Sequence, residues 1–260
     1  MDYSGNRYDY WQKVIFGKKL IMVFSFTGKR VLVTGGTRGI GNAIASRFCQ
    51  LGANVHITGI SAKPNDALKA YNYHSLDLTS ASSMGSFNEK VLKHYSFDIL
   101  VNNAGINRIN HLSDILGTEF DDVVSVNTSG PFYIIKKVVK RMPDRGRIIN
   151  IGSIWASISK KGRISYSTSK AALLGLTRGL SIDLADREIL VNCVSPGFVD
   201  TELTKKSLSP TEIKTLESQV PLGRLATPNE IANVVAFLCS DSNSFITGQN
   251  IIVDGGFSNV

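Results

Sequence analysis

Ser153, Tyr166 and Lys170 are residue types that together can move a proton to or from a carbonyl oxygen. Tyr166 and Lys170 close the segment Tyr-Ser-Thr-Ser-Lys. On a helix over 166–186, positions spaced this way stack on one face and set the ammonium beside the phenol. An adjacent cation favours the phenolate and lowers a tyrosine pKa from about 10 toward working pH, as a general acid or base requires. Ser153 ends the strand-like run Arg147-Ile-Ile-Asn-Ile-Gly-Ser153, from which its hydroxyl can hold the same oxygen. Taken alone, Tyr-x-x-x-Lys is also ordinary helix-surface pairing, so the weight falls on what surrounds it.

A cofactor cradle lies upstream. The strand-like Lys29–Thr34 runs into Gly35-Gly36-Thr37-Arg38-Gly39-Ile40-Gly41, and a helical pattern follows from Asn42 to Leu51. Strand, glycine turn and helix together make a phosphate site. Gly35 allows the sharp turn, Gly39 the approach of a pyrophosphate, and Gly41 close packing of helix on strand. An acidic residue that would grip a ribose 2′-hydroxyl belongs roughly 20 residues further on, and Ala53–Ser61 contains none. Arg38, inside the turn, could instead meet a 2′-phosphate, with Gly59, Ser61 and Lys63 leaving room and polar partners. Position 60, where many phosphate-accepting relatives carry arginine, is Ile60, and Arg38 also fits a solvated loop charge. The balance predicts NADP(H) over NAD(H).

At Thr34–Gly41 the chain resembles the short-chain dehydrogenase/reductase family, through its Thr-Gly-x-x-x-Gly-x-Gly element. The resemblance continues in order through Asp77-Leu78, Asn102-Asn103-Ala104-Gly105, Asn127, Ser153, Tyr166, Lys170, Pro196-Gly197, Thr201 and Asp254-Gly-Gly256, covering residues 27 to 260. It implies that Thr37, Arg38 and Ile40 bind the cofactor with the turn glycines, that Asp77 and Leu78 meet the adenine, and that Asn103, Ala104 and Gly105 border the cofactor. It further implies that Lys170 and Tyr166 reach the nicotinamide ribose, and that Pro196, Gly197, Val199 and Thr201 hold the nicotinamide. Asn127 would complete a catalytic tetrad through a water-linked proton path, although a mid-helix asparagine is ordinarily a solvated surface residue. The activity so implied is interconversion of a ketone and a secondary alcohol. A nicotinamide-binding regulator without turnover is the rival of a different class, disfavoured by the intact tetrad.

Along its length the chain is also similar to 3-oxoacyl-[acyl-carrier-protein] reductases, including Leu222-Gly-Arg-Leu and Ile246-Thr-Gly-Gln. In those enzymes basic residues at the site mouth receive an acidic carrier. Arg187 occupies one such place, but the other is Asp144, with Arg145 beside it. Trp155, Ile106 and Asn107 could shape a pocket for a compact polar ketone or sugar derivative instead, and Trp155 fits core packing equally well.

Composition narrows the alternatives. Of 260 residues 43% are hydrophobic and 19% charged, with net charge +8, which suits one α/β domain with a large core. The cations are dispersed in short groups without aromatic RNA-binding signatures, which argues against nucleic acid or membrane as partner. One group, Lys160-Lys161-Gly162-Arg163, falls between Ser153 and Tyr166 and predicts a preference for an anionic substrate. Cys49, Cys193 and Cys239 are too few and scattered for a disulfide framework, and His56, His74, His94 and His111 lack metal-ligand spacing, so no metal is expected.

To position these residues the chain alternates strands near 30–34, 53–58, 72–76, 97–101, 146–152, 189–194 and 249–253 with amphipathic stretches at 81–94, 119–140 and 167–186. This predicts a doubly wound α/β fold, a parallel seven-stranded Rossmann-type sheet with helices on both faces in a single domain. By resemblance the strand order is 3-2-1-4-5-6-7. Thr227-Pro-Asn-Glu230 is a capping box that starts a helix. Residues 198–226 break the alternation as a substrate lid would. Residues 1–26 form an extension ahead of the domain at 27–260, read as an upstream start-codon artefact, a flexible arm or an aromatic segment docking on a neighbouring subunit. The apolar run at its end is too short for a signal peptide or membrane span. The resemblance implies a cytoplasmic homo-oligomer, dimer or tetramer, packed through the two long helices.

Overall fold

The computed structural model describes residues 14–16, 19–21 and 24–260, without the side chains of the first two segments or of residues 203, 206 and 207. Strands β1 (Val14–Phe16) and β2 (Lys19–Ile21) pair antiparallel as a small ribbon. The three readings of the N-terminal extension otherwise fall outside the described residues.

Seven parallel strands form the body: β3 (Arg30–Val33), β4 (Asn54–Gly59), β5 (Asn72–Ser75), β6 (Ile99–Asn102), β7 (Arg147–Ile151), β8 (Leu190–Pro196) and β9 (Asn250–Val253). Their spatial order is β5-β4-β3-β6-β7-β8-β9, which within this sheet is the expected 3-2-1-4-5-6-7. Alternate residues feed opposite faces. Val31, Val33, Ile99, Val101, Ile149 and Ile151 enter one core with α1 (Gly39–Gln50), while Leu32, Leu100 and Ile148 enter the other. The order reverses between β3 and β6, so a crevice opens beyond their carboxyl ends, where open α/β sheets bind ligands.

The helical stretches differ from expectation where function gathers. Residues 81–94 form α2 (Ala81–Phe87) and then a widened turn over Asn88–Leu92. The stretch 119–140 is not one helix. α3 (Gly117–Val124) passes through a π-type turn at Ser125–Ser129 into α4 (Gly130–Val138). Pro131 lacks the N–H that a regular ladder needs, and a Cβ at Gly130 would lie 3.0 Å from Leu78 Cδ1, so the helix is reset at this point. α5 (Ile164–Asp183) ends slightly earlier than predicted, in a tight turn over Ala185–Arg187. Between β8 and α8 (Pro228–Cys239) the predicted lid region holds α6 (Glu202–Ser207) and α7 (Pro210–Gln219). α7 buries no side chain; the segment is tied at its base, where Asp200 N donates to Ala226 O and Ala226 N to Phe198 O. α8 begins at the expected capping box, Thr227 with Glu230.

Under the β4–β5 edge, His56 Nδ1 and His74 Nε2 lie 2.9 Å apart with Tyr95 and Phe97 edge-on to His56. Burial, then the neighbouring His74 and Arg30 charges, push His56 from 6.5 to about 4, and burial also lowers His74. Between about pH 6.5 and 4 the unfolded chain therefore binds a proton that the folded His56 refuses, so stability falls as pH drops through that window. We expect His56 to account for up to about 3 kcal/mol of this loss. Thermal melts of His56→Phe, which keeps a ring among Tyr95 and Phe97, should show a shallower acid-side decline than the parent; an equal slope would refute the assignment.

Candidate active site

The glycine turn is held from two strands. Thr58, at the end of β4, accepts from Gly35 N on its hydroxyl (3.1 Å) and from Gly36 N on its carbonyl (3.0 Å). Asn103, just past β6, donates from Nδ2 to Thr34 O and Gly35 O at 3.1 and 3.0 Å, while Asn103 N and Ala104 N donate to the Thr34 hydroxyl. Gly35 has φ +63° and would put a Cβ 2.9 Å from Ala104 Cα, so both conformation and space demand glycine. A Cβ on Gly41 would overlap Gly35 O and Asn103 Nδ2, which means this glycine lets the helix close on the turn itself rather than on the strand. No side chain caps α1, so its first-turn N–H groups face the crevice as an anion cradle. Ile40 packs partly into the core below.

Around the turn lie the other predicted cofactor residues. Arg38 is exposed, and its side chain makes no hydrogen bond or ion pair among the described residues. The Thr37 methyl fills the place where a Cβ on Gly59 would stand, and the Tyr73 hydroxyl donates to Ser61 O at 2.5 Å, ordering the segment beyond β4. Thr58 and Tyr73 were not anticipated; nothing local in the sequence marks either. Asp77 Oδ1 accepts from Thr79 N and the Thr79 hydroxyl at 2.9 and 2.7 Å, closing a local turn, and Leu78 packs on Gly130. Past β8, Gly197 leaves room for Asp254, whose Cβ would be 2.7 Å from an added Cβ, and Val199 is buried. The Thr201 hydroxyl accepts from Thr204 N at 3.2 Å to cap α6, and its methyl faces Gly39. The start of the 198–226 segment thus meets the glycine turn.

The residues predicted to handle the proton lie at the carboxyl ends of β6 and β7. Gly105 marks the meeting point: a Cβ there would lie 3.3 Å from Asn127 Oδ1 and 3.5 Å from Lys170 Nζ. Asn127 is fully buried, unlike the solvated position a mid-helix asparagine taken alone would suggest. The π-type turn swings it inward, where Oδ1 accepts from Ile106 N (2.8 Å) and Nδ2 donates to Ile106 O (2.9 Å) and Ser169 Oγ (3.0 Å). Ser153 leaves β7 in extended conformation, with its oxygen accepting from Trp155 N at 3.3 Å. Gly152 before it permits close approach to Ser195 and Cys193 on β8.

Lys170 is 3% exposed, and its Nζ donates to Ile151 O at 2.7 Å. Burial lowers its pKa to about 8, partly offset by Cys193. The ammonium stands 5.7 Å from the centroid of the Tyr166 ring. The expectation that it would depress the phenol is corrected here. Tyr166 is partly exposed as a residue, but burial around its hydroxyl raises its pKa; the groups that pull it down are Ser153 and Arg163. A phenolate loses solvation in this setting, and the lysine charge is drawn toward a backbone carbonyl.

Trp155 is 8% exposed and packs in the core, one of the two roles open to it. It packs edge-on against Phe198 and Phe257, at 6.2 and 6.4 Å between centroids, beside Ser153. Among the described residues no cluster of three His, Cys, Asp or Glu side chains could hold a metal.

The family model described as enoyl-(acyl carrier protein) reductase matches residues 35–258. The 3-oxoacyl-[acyl-carrier-protein] reductases of Aquifex aeolicus and Escherichia coli K12 are both 40% identical to the chain, covering 90% and 89% of it and 99% and 98% of their own lengths. A short-chain dehydrogenase/reductase from Serratia marcescens superposes with TM-score 0.83 at 35% identity, covering 89% of this chain and 98% of its own. The chain belongs to the short-chain dehydrogenase/reductase family. As a member of it, the protein is an oxidoreductase acting on a ketone/alcohol pair. A blue fluorescent protein from a metagenomic library, solved with NADPH, superposes with TM-score 0.82 at 34% identity over 89% of this chain and 98% of that one.

Arg163 is the residue that sequence reasoning placed only loosely. Its charge was noted within a basic group; its position against Trp155 and near the Tyr166 phenol arises because the loop before α5 folds back over the strand end.

Proposed function

We propose that the protein reduces a 3-oxoacyl-type ketone to the secondary alcohol with NADPH, and that Tyr166 is the general acid. The observation that carries this reading is that Asn127 and Lys170 meet at Gly105, with the Lys170 ammonium 5.7 Å from the Tyr166 ring centroid and Ser153 beside the Tyr166 phenol, in a sheet whose glycine turn leads into an uncapped helix start. The residues fit a dinucleotide: glycine at 35 and 41 lets the turn close tightly onto the start of α1, whose N–H groups no side chain caps, and Gly105 leaves space beside Asn127 and Lys170. NADPH bound there would supply hydride to the carbonyl carbon. The chain's own work is to handle the oxygen. Ser153 donates a hydrogen bond to it, and Tyr166 passes its proton as negative charge develops. A phenol held above its ordinary pKa remains protonated at neutral pH, which suits the acid role. Lys170 has three protons and gives one to Ile151 O; ribose hydroxyls would accept others and bring the ammonium to bear on the phenol. Asn127, buried between Ile106 and Ser169, holds the helix turn that lines the proton path. Asp77, Leu78, Pro196, Gly197, Val199 and Thr201 would complete the cofactor site.

NADP(H) rather than NAD(H) is supported by exposed Arg38, which makes no ion pair among the described residues, and by the lack of any acid between Ala53 and Ser61. The relatives named as carrier-protein reductases favour a carrier-bound substrate. A second reading, a compact anionic ketone, is favoured by one observation. Arg187 Nε donates to Asp144 Oδ1 at 2.9 Å and its other nitrogens bind Val139 O and Met142 O, so the expected carrier-docking base is already engaged. Residues 198–226 are read as the lid over this site. We place the enzyme in the cytoplasm, consistent with three free cysteines, and as a dimer or tetramer joined through α4 and α5, where Phe132, Tyr133 and Ile182 are exposed.

NADPH oxidation measured against acetoacetyl thioesters, cyclic ketones and keto-sugars tests the activity. Tyr166→Phe should lower kcat at least about 100-fold with cofactor binding retained; substantial residual turnover would remove Tyr166 as the acid. Arg38→Ala should raise the KM for NADPH about 10- to 100-fold and leave that for NADH nearly unaltered, and a parent enzyme preferring NADH would refute the cofactor assignment. Light scattering should give a mass of at least twice 28.3 kDa; a monomer at micromolar concentration would reject the oligomer.

A further inference from the structure

The loop from Ser157 to Arg163 joins the strand end bearing Ser153 to the helix bearing Tyr166, and it carries three cations and no acid. Its course is set at Gly162, with φ +79°, where an added Cβ would lie 3.2 Å from Ile109 Cγ2 and 3.7 Å from Asn110 O. The loop is therefore seated against the segment that follows Gly105. Trp155 forms a floor beneath it. Arg163 Cζ lies 5.7 Å and Lys160 Nζ 5.9 Å from the centroid of the indole. The Arg163 side chain makes no hydrogen bond or ion pair among the described residues, and its Nε is shut off from water without an acceptor. Asn110, whose carbonyl lies close to Gly162, donates from Nδ2 to the Glu119 carboxylate at 2.8 Å.

A guanidinium held on an aromatic face, partly stripped of water and without a counter-charge among the described residues, is a strong receiver for an incoming anion. Lys160 is more exposed and lacks the planar fork, so Arg163 is the discriminating group of the three. We propose that Arg163, stacked on Trp155 beside Tyr166, is a specificity-determining residue that receives an anionic oxygen group of the substrate. This rests on the reductase reading above and deepens it: the anion belongs to the molecule whose carbonyl meets Tyr166. Two sources share this chemistry, a carboxylate close to the ketone and the phosphate of a pantetheine arm.

The test compares the parent, Arg163→Gln and Arg163→Lys on 3-oxobutanoate, its methyl ester, its N-acetylcysteamine thioester and its coenzyme A thioester. In Arg163→Gln the kcat/KM ratio of acid to methyl ester should fall about 10- to 100-fold, the worth of a charge-assisted hydrogen bond. Arg163→Lys should recover part of it. A loss confined to the coenzyme A thioester, measured against the neutral thioester, assigns the anion to the pantetheine arm and also supports the proposal. Equal losses on charged and neutral substrates overturn it, while leaving the reductase reading intact. A second readout does not need turnover. The chain has two tryptophans, so in a Trp11→Phe background Trp155 emission reports this site. Titration with 3-oxobutanoate or with coenzyme A, at saturating NADP⁺, should give a saturable change that Arg163→Gln abolishes. No saturable change with either probe overturns the inference even if no ketone is ever reduced.

Discussion

A lysine buried to 3% exposure is the constraint around which this molecule is arranged. Removing an ammonium from water is costly, and the chain offers it Ile151 O at the end of β7 as partner. That carbonyl is available because β7 gives way to Gly152 and Ser153 just there. Gly152 permits close approach to β8, and the extended Ser153 turns away into the Trp155 floor. The cation thus stays partly unsatisfied at the mouth of the crevice, and its pKa drops to about 8. Tyr166 responds to the same burial in the opposite direction, as a phenol must. Phenol and ammonium are shifted by one dry environment rather than by direct contact with each other.

The second organising feature is the meeting of β3 and β6 at the switch in strand order. Asn103 and the Thr34 hydroxyl tie the two strand ends together with four hydrogen bonds, and Thr58 adds the β4 side. These bonds explain why the glycines are needed where they stand. The turn is pulled tight from both flanks, so a side chain at Gly35 or Gly41 has no place to go. The π-type turn at Ser125–Ser129 performs the matching task on the opposite wall by aiming Asn127 inward.

The surface around Arg187 departs from a simple basic docking patch. Asp144 neutralises Arg187, and Arg145 faces Glu188 at 3.6 Å, so cations on that side are largely compensated. Lys160, Lys161 and Arg163, on the loop between Ser153 and Tyr166, have no such acidic partner among the described residues. Charge was plain in the sequence at both places; only the pairing partners distinguish them.

Strand and helix alternation, the parallel sheet, its order and the identity of the turn glycines were legible in the sequence, because they follow from local periodicity, from the special backbone freedom of glycine and from an ordered set of motifs. Helix resets at Gly130-Pro131 were less legible, since hydrogen-bond registers shift for the sake of a neighbour, Leu78, that is distant along the chain. The burial of Asn127, the direction of the Tyr166 pKa, the roles of Thr58 and Tyr73, and the seat of Arg163 on Trp155 were decided by tertiary structure alone. Solvation and ion pairing depend on which surfaces are brought together in space, and spacing along a chain does not encode how much water remains between them.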